Sequence, residues 1–428
     1  MSELGMFADD FVQVNGAAHD VARELGTFAD DSAQANDVHD IMVMAQTLRA
    51  ALAARATEAD DHGAFPEEGL REIRNSGLMG LVVDRQYGGM GASFSTMAEV
   101  AQILAEGCTS TAMIWAMHCQ QVATIADHAG FALRESVLPR IAAGELYIAS
   151  VTSERNKAGE LLTANAPLLR DEDNWIVERD APVVTGGANA DAYLATMRAS
   201  PEANPSDVVL VFAERAQMNI RLQSGWSAMG MRSTQSAGMS LKGAVPDSHL
   251  IVHARGFKHI AVATMVPVGH IAWAATWIGA ARGAFRRLLA LLRDPARRGS
   301  FPLQSELFVT RLARARLGLD TASAFLRQVT ATYDRLRSQY GVDSDVFSSP
   351  SFNIHINGLK ILASEKAFAI VDQLVQLAGL RHGYLKGSDT GLERCFRDLR
   401  SASLMYANDK LYVVNGKLSL LDRDVTLI

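Results

Sequence analysis

His270, Trp273 and Trp277 fall at i, i+3 and i+7, on one face of a helix. An imidazole titrates near neutral pH and can carry a proton there. Aromatic residues at that spacing, and a lone histidine among them, are more often core. Two further proton-transfer groups lie near the C-terminus. Tyr406 is a phenol with an ordinary pKa of about 10, which needs strong depression before it serves as a base. Asp409 is a carboxylate, but Lys410 follows it, and the pair reads equally as a solvated helix end. Arg232 and Arg397 read as structural ion-pair partners. The three cysteines, Cys108, Cys119 and Cys395, have neither metal nor disulfide spacing. No metal centre is therefore expected, and a reduced, cytoplasmic setting fits. No Gly-x-Gly-x-x-Gly follows a strand, which argues against a NAD site.

The elements that must position these groups come in an uncommon order. Tyr147 to Ile251 is an island of short strand-like runs inside an otherwise helical chain. Its expected strands begin at Tyr147, Asn174, Ala181, Ala192, Asp207, Asn219 and Met239. Between the last two lies Gly225 to Ser236, too broken by Gly and Ser for helix or regular strand. Ahead of the island, helices are expected at Asp37 onward, Gly69–Leu78, Phe94–Glu106, Ser110–His128 and Leu133–Ala143. Thr109 or Ser110 is the expected N-cap of the fourth. Behind the island come long helices at Val268–Asp294, Leu303–Gln339, Phe352–Gly379 and Leu392 to about Leu421, enough for a four-helix bundle. Ala272, Ala275, Gly279 and Gly283 set a small-residue stripe that admits another backbone or a flat ligand. The expected division is an arm at 1–35, a helical domain at 36–146, a β domain at 147–255 and a helical bundle at 256–428.

At 428 residues the chain exceeds one ordinary core. Its net charge of −6, with no basic tract, argues against nucleic acid. The apolar run Ser110–Ala129 is interrupted by His118, Gln120, Gln121, Asp127 and His128, so a buried helix is expected there rather than a membrane span.

The order of elements and six local motifs resemble the acyl-CoA dehydrogenase superfamily of flavoproteins. The motifs are the Asp84–Gly91 glycine loop, Ala149-Ser150-Val151-Thr152, Pro182–Gly187, Gly230–Ser236, Arg298-Gly299-Ser300-Phe301 and Leu392–Asp398. The resemblance implies an α+β chain: an N-terminal helical domain, a middle β-barrel-like domain and a C-terminal four-helix bundle. It implies FAD, with Val151, Thr152, Ser153 and Thr185 near the flavin. Arg298 and Phe301 would reach the dinucleotide of a neighbouring subunit, with Gln376 and Gly379 close by. A planar guanidinium suits pyrophosphate. Sharing a cofactor in this way implies a homodimer or homotetramer.

The implied activity is α,β-dehydrogenation of an acyl thioester on CoA or a carrier protein. An electron-accepting flavoprotein or oxygen would reoxidise the flavin. Two departures stand out. The family's catalytic Glu falls on Tyr406 in one version of the motif and on Gly269 in the other, so Asp409, Tyr406 and His270 are the candidates left. The Thr-Glu after the flavin strand is here Thr152-Ser153-Glu154. A two-component monooxygenase of the same fold is the alternative, although Met405 stands where its histidine is usual. A flavin-binding relative without dehydrogenase activity is the third reading.

Overall fold

The computed structural model describes residues 29–155, 160–423 and 425. The chain divides into two units, Met1–Val43 and Met44–Ile428, and the sheets, the bundle and the cavities all belong to the second. Helix α1 is Ala29–His62. It starts before the expected Asp37 because its first turns are polar, and an apolar period appears only from Ile41. Most of the expected arm, residues 1–28, lies outside the described residues.

Helices α2 (Glu67–Asn75), α3 (Phe94–Gly107), α4 (Thr109–His128) and α5 (Phe131–Ala142) follow. Ser93 caps α3 by accepting from Thr96 N at 3.1 Å. The residue before α4 is Cys108, with no side-chain cap, rather than Thr109 or Ser110. Within α4, His118 is buried between β1 and the turn at Met79. Its Nδ1 accepts from Ile148 N (3.1 Å), which leaves Nε2–H to donate to Met79 O (3.1 Å). Burial pushes this imidazole down to about 4, so it is a neutral strut.

The middle region is two four-stranded sheets. One has the order β1 (Ile148–Val151), β4 (Ala192–Arg198), β5 (Val208–Glu214), β8 (Leu250–Ile251). The other runs β2 (Leu169–Asp171), β3 (Asn174–Ala181), β7 (Met239–Pro246), β6 (Met218–Leu222). β1 pairs with β4 in parallel, and the other ladders are antiparallel. A bridge between Pro167 and Arg198 ties the two sheets. β2 and β8 have only three and two residues, too short to show a period. The strand expected from Ala181 to Gly187 is not one. Val184 N bonds to Ala237 O (3.1 Å) and Gly186 N to Thr234 O (2.8 Å), drawing the segment out of the sheet. The β1–β4–β5 sheet packs on α4 and α5 through Val122, Ile125, Val137, Ile141, Ile148 and Leu194.

Helix α6 (Phe257–Ile260) leads through a wide turn at Ala261–Met265 into α7 (Val266–Arg293). Phe257–Arg293 is long and apolar enough to cross a membrane, but 83% of its most apolar window is buried in the fold. The small-residue stripe receives a helix. A Cβ on Gly279 would stand 2.3 Å from Gln102 O, and one on Gly283 2.8 Å from Glu106 Cα, both on α3. Helices α8 (Glu306–Tyr340) and α9 (Pro350–Gly379) complete the long members of the bundle. The last expected helix is two, α10 (Leu392–Arg400) and α11 (Asn408–Ser419). The break between them holds Tyr406 in the left-handed region, φ +49°.

Candidate functional site

A cavity of about 300 Å³ lies where α4, the β region and the bundle meet. The β region supplies Thr152 and Ser153 after β1, Thr185 after β3, and Trp226, Thr234 and Ser236 from the Gly225–Ser236 loop. α7 supplies His270 and Trp273, and the α10–α11 break supplies Ser401, Met405 and Tyr406. Five of the expected catalytic and cofactor-binding residues therefore meet here: Thr152, Ser153, Thr185, His270 and Tyr406. Val151 is fully buried at the end of β1 and does not border the space. Asp409 is exposed in the first turn of α11 and is likewise off the cavity wall.

The β-side wall is braced by its own polar network. Ser153 Oγ donates to Val183 O (2.7 Å), and Arg179 Nη2 donates to Ser153 O (3.0 Å). Glu154 is the buried partner of Arg179 and also accepts from Asn165 N (2.9 Å) and Ala166 N (2.8 Å). Its carboxylate thus ties the Thr152–Glu154 segment to Arg179 and to the Asn165–Ala166 backbone. Thr185 Oγ1 lies 3.1 Å from Ser236 Oγ, which lies 2.8 Å from Thr234 Oγ1.

The Gly230–Ser236 loop is latched to α10. Met231 is left-handed, φ +52°, and its N–H donates to Asp398 Oδ1 at 2.6 Å. Gly230 passes so close to α10 that a Cβ would stand 2.1 Å from Arg397 O. Arg397 pairs with Asp60 (2.6 Å) and Glu393 (2.9 Å), the ion-pair role expected of it. Arg232 instead donates to a carbonyl, that of Asp61, at 3.2 Å.

Burial pushes the Asp398 carboxyl up to about 7. Its folded pKa then exceeds the unfolded one, so the neutral acid favours the folded state. The stability this contributes is complete below about pH 4 and lost as pH rises through about 7. Unfolding curves of the parent should therefore show stability falling between about pH 4 and 7 and levelling off above, and Asp398→Asn should flatten that slope. An unchanged slope in the variant would assign the dependence to other groups.

On the bundle side, His270 Nδ1 lies 3.3 Å from Ile356 O. Burial first, and the charge of Lys360 second, push this imidazole down to about 3. Burial first, and the charge of Glu160 second, hold the Tyr406 phenol above its ordinary value. Both groups are neutral at pH 7. Lys360 was not among the residues expected here, although a single Lys in the apolar run Leu359–Leu362 of α9 is itself a signal. It is fully buried, donates to Tyr406 O (3.1 Å) and Asn408 Oδ1 (2.7 Å), and lies 5.6 Å from the Trp277 ring centre. Burial pushes it down to about 8. Lys360 is thus the clamp on the left-handed Tyr406 turn. Glu160, at the cavity mouth, was not expected either, and no pattern around it distinguishes it.

A second cavity, of about 430 Å³, joins Phe301 to Gln376 and Gly379 at the far end of α9. Arg298 sits in the adjacent exposed turn Arg298–Ser300. Its neighbour Arg297 is engaged with Asp294 (3.4 Å) and Asp389 (2.5 Å).

His253, His259 and Asp343 form a further cluster with ligand atoms within 4.8 Å. Its imidazole lone pairs are taken. Arg255 N donates to His253 Nδ1 and Arg255 Nη2 faces His259 Nε2, each at 3.1 Å, while His253 Nε2 meets Asp343 Oδ1 at 3.0 Å. This is a hydrogen-bonded cluster, not an open ligand set.

Known families match both helical ends of the chain. The family described as acyl-CoA dehydrogenase, N-terminal domain, matches residues 42–145. The one described as acyl-CoA dehydrogenase, C-terminal domain, matches residues 255–406, and the two together cover more than half of the chain. This chain belongs to the acyl-CoA dehydrogenase superfamily.

Among relatives, cyclohex-1-ene-1-carbonyl-CoA dehydrogenase of Syntrophus aciditrophicus is 22% identical over 87% of this chain and 86% of that protein. Butyryl-CoA dehydrogenase of Megasphaera elsdenii superposes with a TM-score of 0.78 at 20% identity, over 90% of this chain and 98% of that one. FMN-bound TdsC of Paenibacillus sp. A11-2, a dibenzothiophene monooxygenase, superposes with a TM-score of 0.80 at 18% identity, over 91% and 99%.

This acyl-CoA dehydrogenase-like chain is a flavin-dependent oxidoreductase, and FAD is the cofactor of its family. The residues on the cavity wall fit a flat, polar-edged ring. Hydroxyls of Thr152, Ser153, Thr185, Thr234 and Ser236 line the β side, aromatic and methionine side chains line much of the rest, and the buried Trp273 Nε1–H has no partner among the described residues.

Proposed function

We propose that the chain removes the α and β hydrogens of an acyl thioester carried by CoA or a carrier protein, giving the α,β-unsaturated thioester. The observation that carries this reading is the meeting of Thr152, Thr185 and the Gly230–Ser236 loop with α7 and the Tyr406 turn around one cavity. FAD, when bound, supplies the hydride acceptor. Thr152, Ser153 and Thr185 would hold the ring edge from the β side. Phe301, Gln376 and Gly379 would hold the dinucleotide at the second cavity, with Arg298 beside it reaching a neighbouring subunit's cofactor. That arrangement supports a homodimer or homotetramer. Tyr406, kept neutral, donates a hydrogen bond towards the substrate, and His270 packs behind it at 5.8 Å between ring centres. Met113, Met117 and Met265 exclude water from the acyl chain. An electron-accepting flavoprotein or oxygen takes the electrons onward. The three cysteines are free and buried, which supports a cytoplasmic setting.

Mass spectrometry after incubation with short and medium acyl-CoAs and an artificial electron acceptor tests this reading. The expected product is lighter than the substrate by two hydrogens. Recovery of every thioester unchanged would remove the reading.

One observation favours a second reading, an oxygen-dependent hydroxylation with reduced flavin. The bundle side of the cavity contributes no carboxylate among the described residues, and hydroxylation needs no base at the α carbon. Oxygen-dependent gain of one oxygen by an added aromatic or amine compound would select it.

A further inference from the structure

We infer that Glu160 takes the α proton of the thioester in this chain, an inference that rests on the dehydrogenase reading above. Three ionisable side chains border the cavity among the described residues: Glu160, His270 and Tyr406. His270 is 3% exposed and packs behind Tyr406 at 5.8 Å between ring centres, so a proton it took would have no way out to solvent. Tyr406 is a phenol held above its ordinary value, so it keeps its proton. Glu160 is the remaining proton acceptor and the one carboxylate on the wall among the described residues.

It also shares the cavity wall with Tyr406. Its charge is the second cause, after burial, of the upward shift of that phenol. Tyr406 occupies the place of the missing glutamate in the sequence, so Glu160 brings a carboxylate to the same cavity from the segment after β1 instead of from the bundle. Glu160 is exposed, at the mouth. A thioester entering between it and Trp226, Met265 and Trp273 strips water from the carboxylate. The open mouth then gives the proton a way out to solvent.

The step balances. A Glu160 oxygen takes the proton as the Cα–H bond breaks. The pair left on Cα forms the Cα=Cβ bond as the Cβ–H bond breaks, and its hydride passes to oxidised flavin. The products are the unsaturated thioester, protonated Glu160 and two-electron-reduced flavin.

The test compares the FAD-loaded parent with Glu160→Gln and Glu160→Asp by anaerobic stopped-flow, using a panel of straight-chain acyl-CoAs. Loss of a general base typically slows a step by about 10²–10⁴-fold. The Gln variant should show that loss, and the Asp variant should retain a clearly larger share of the rate. A second readout needs no turnover. The phenol of Tyr406, isolated by ultraviolet difference titration against Tyr406→Phe, should titrate lower in Glu160→Gln than in the parent. A Gln variant that bleaches within about threefold of the parent, far short of a base's share, would overturn the assignment while leaving the dehydrogenase reading standing. So would Gln and Asp variants that are equally slow, or an unmoved phenol. A parent that no thioester bleaches would overturn both.

Discussion

Glu106→Gln should cost about 3 kcal/mol of folding stability, at the lower end of the range for breaking a buried charge pair. Glu106 lies in the last turn of α3 with its side chain 2% exposed. Its carboxylate receives Arg49 Nη1 at 3.1 Å, Arg282 Nε at 2.5 Å and Arg286 Nη1 at 2.9 Å. Arg287 Nη1 adds a bond to the backbone oxygen of Glu106 at 2.9 Å. One negative charge thus joins the N-terminal helices to α7, beside the close approach at Gly283. A neutral amide leaves three guanidiniums repelling one another with no counter-charge. They are 27% to 55% exposed and can hydrate, which keeps the cost from rising further. The measurement is the urea midpoint at constant slope. Arg286→Met, which removes the most exposed partner, should cost under about 1 kcal/mol. Equal costs for the two variants would mean that the cluster acts as ordinary surface charge.

Arg298→Ala should weaken FAD binding by about ten- to a hundredfold, the equivalent of about 1.5–3 kcal/mol for a charge-assisted bond to phosphate. The motivation is a contrast between adjacent residues. Arg297 is held by Asp294 and Asp389, whereas Arg298 stands exposed in the turn leading to Phe301 and the second cavity. Arg297→Ala is therefore the control and should leave the FAD dissociation constant unchanged. Fluorescence titration of apoprotein with FAD measures both. The same constant in Arg298→Ala and the parent would place Arg298 on the free surface. If the affinity falls only under conditions that favour assembly, the contact crosses between subunits.

The parts of this protein legible in its sequence were those where backbone geometry restricts residue type. Gly230 is legible because α10 leaves no room for a Cβ, and Gly279 and Gly283 because α3 does the same. Thr152 and Thr185 were legible as strand-end hydroxyls in motifs, and both reach the cavity. The small-residue stripe marks a close approach, but composition alone does not say whether a helix or a ligand fills it. The strand expected from Ala181 failed because Val183, Val184 and Thr185 favour extended backbone whether or not a neighbouring strand receives them. The α10–α11 break was hidden because no Gly or Pro marks it. Its cause is distant in sequence: Lys360, Asn408 and the carbonyl of Tyr406 close a buried polar knot. Glu160 was hidden for the same reason, since only the folded chain brings it to the wall shared with Tyr406.

Dehydrogenation is tested most directly by anaerobic mixing of the FAD-loaded protein with a panel of acyl-CoAs, followed through the visible absorbance of the oxidised flavin, a property of the bound ring itself. At least one thioester should bleach the flavin without oxygen and emerge as its α,β-unsaturated form. If every thioester leaves the flavin oxidised, while reduced flavin and oxygen together yield a hydroxylated product, the dehydrogenase reading is contradicted.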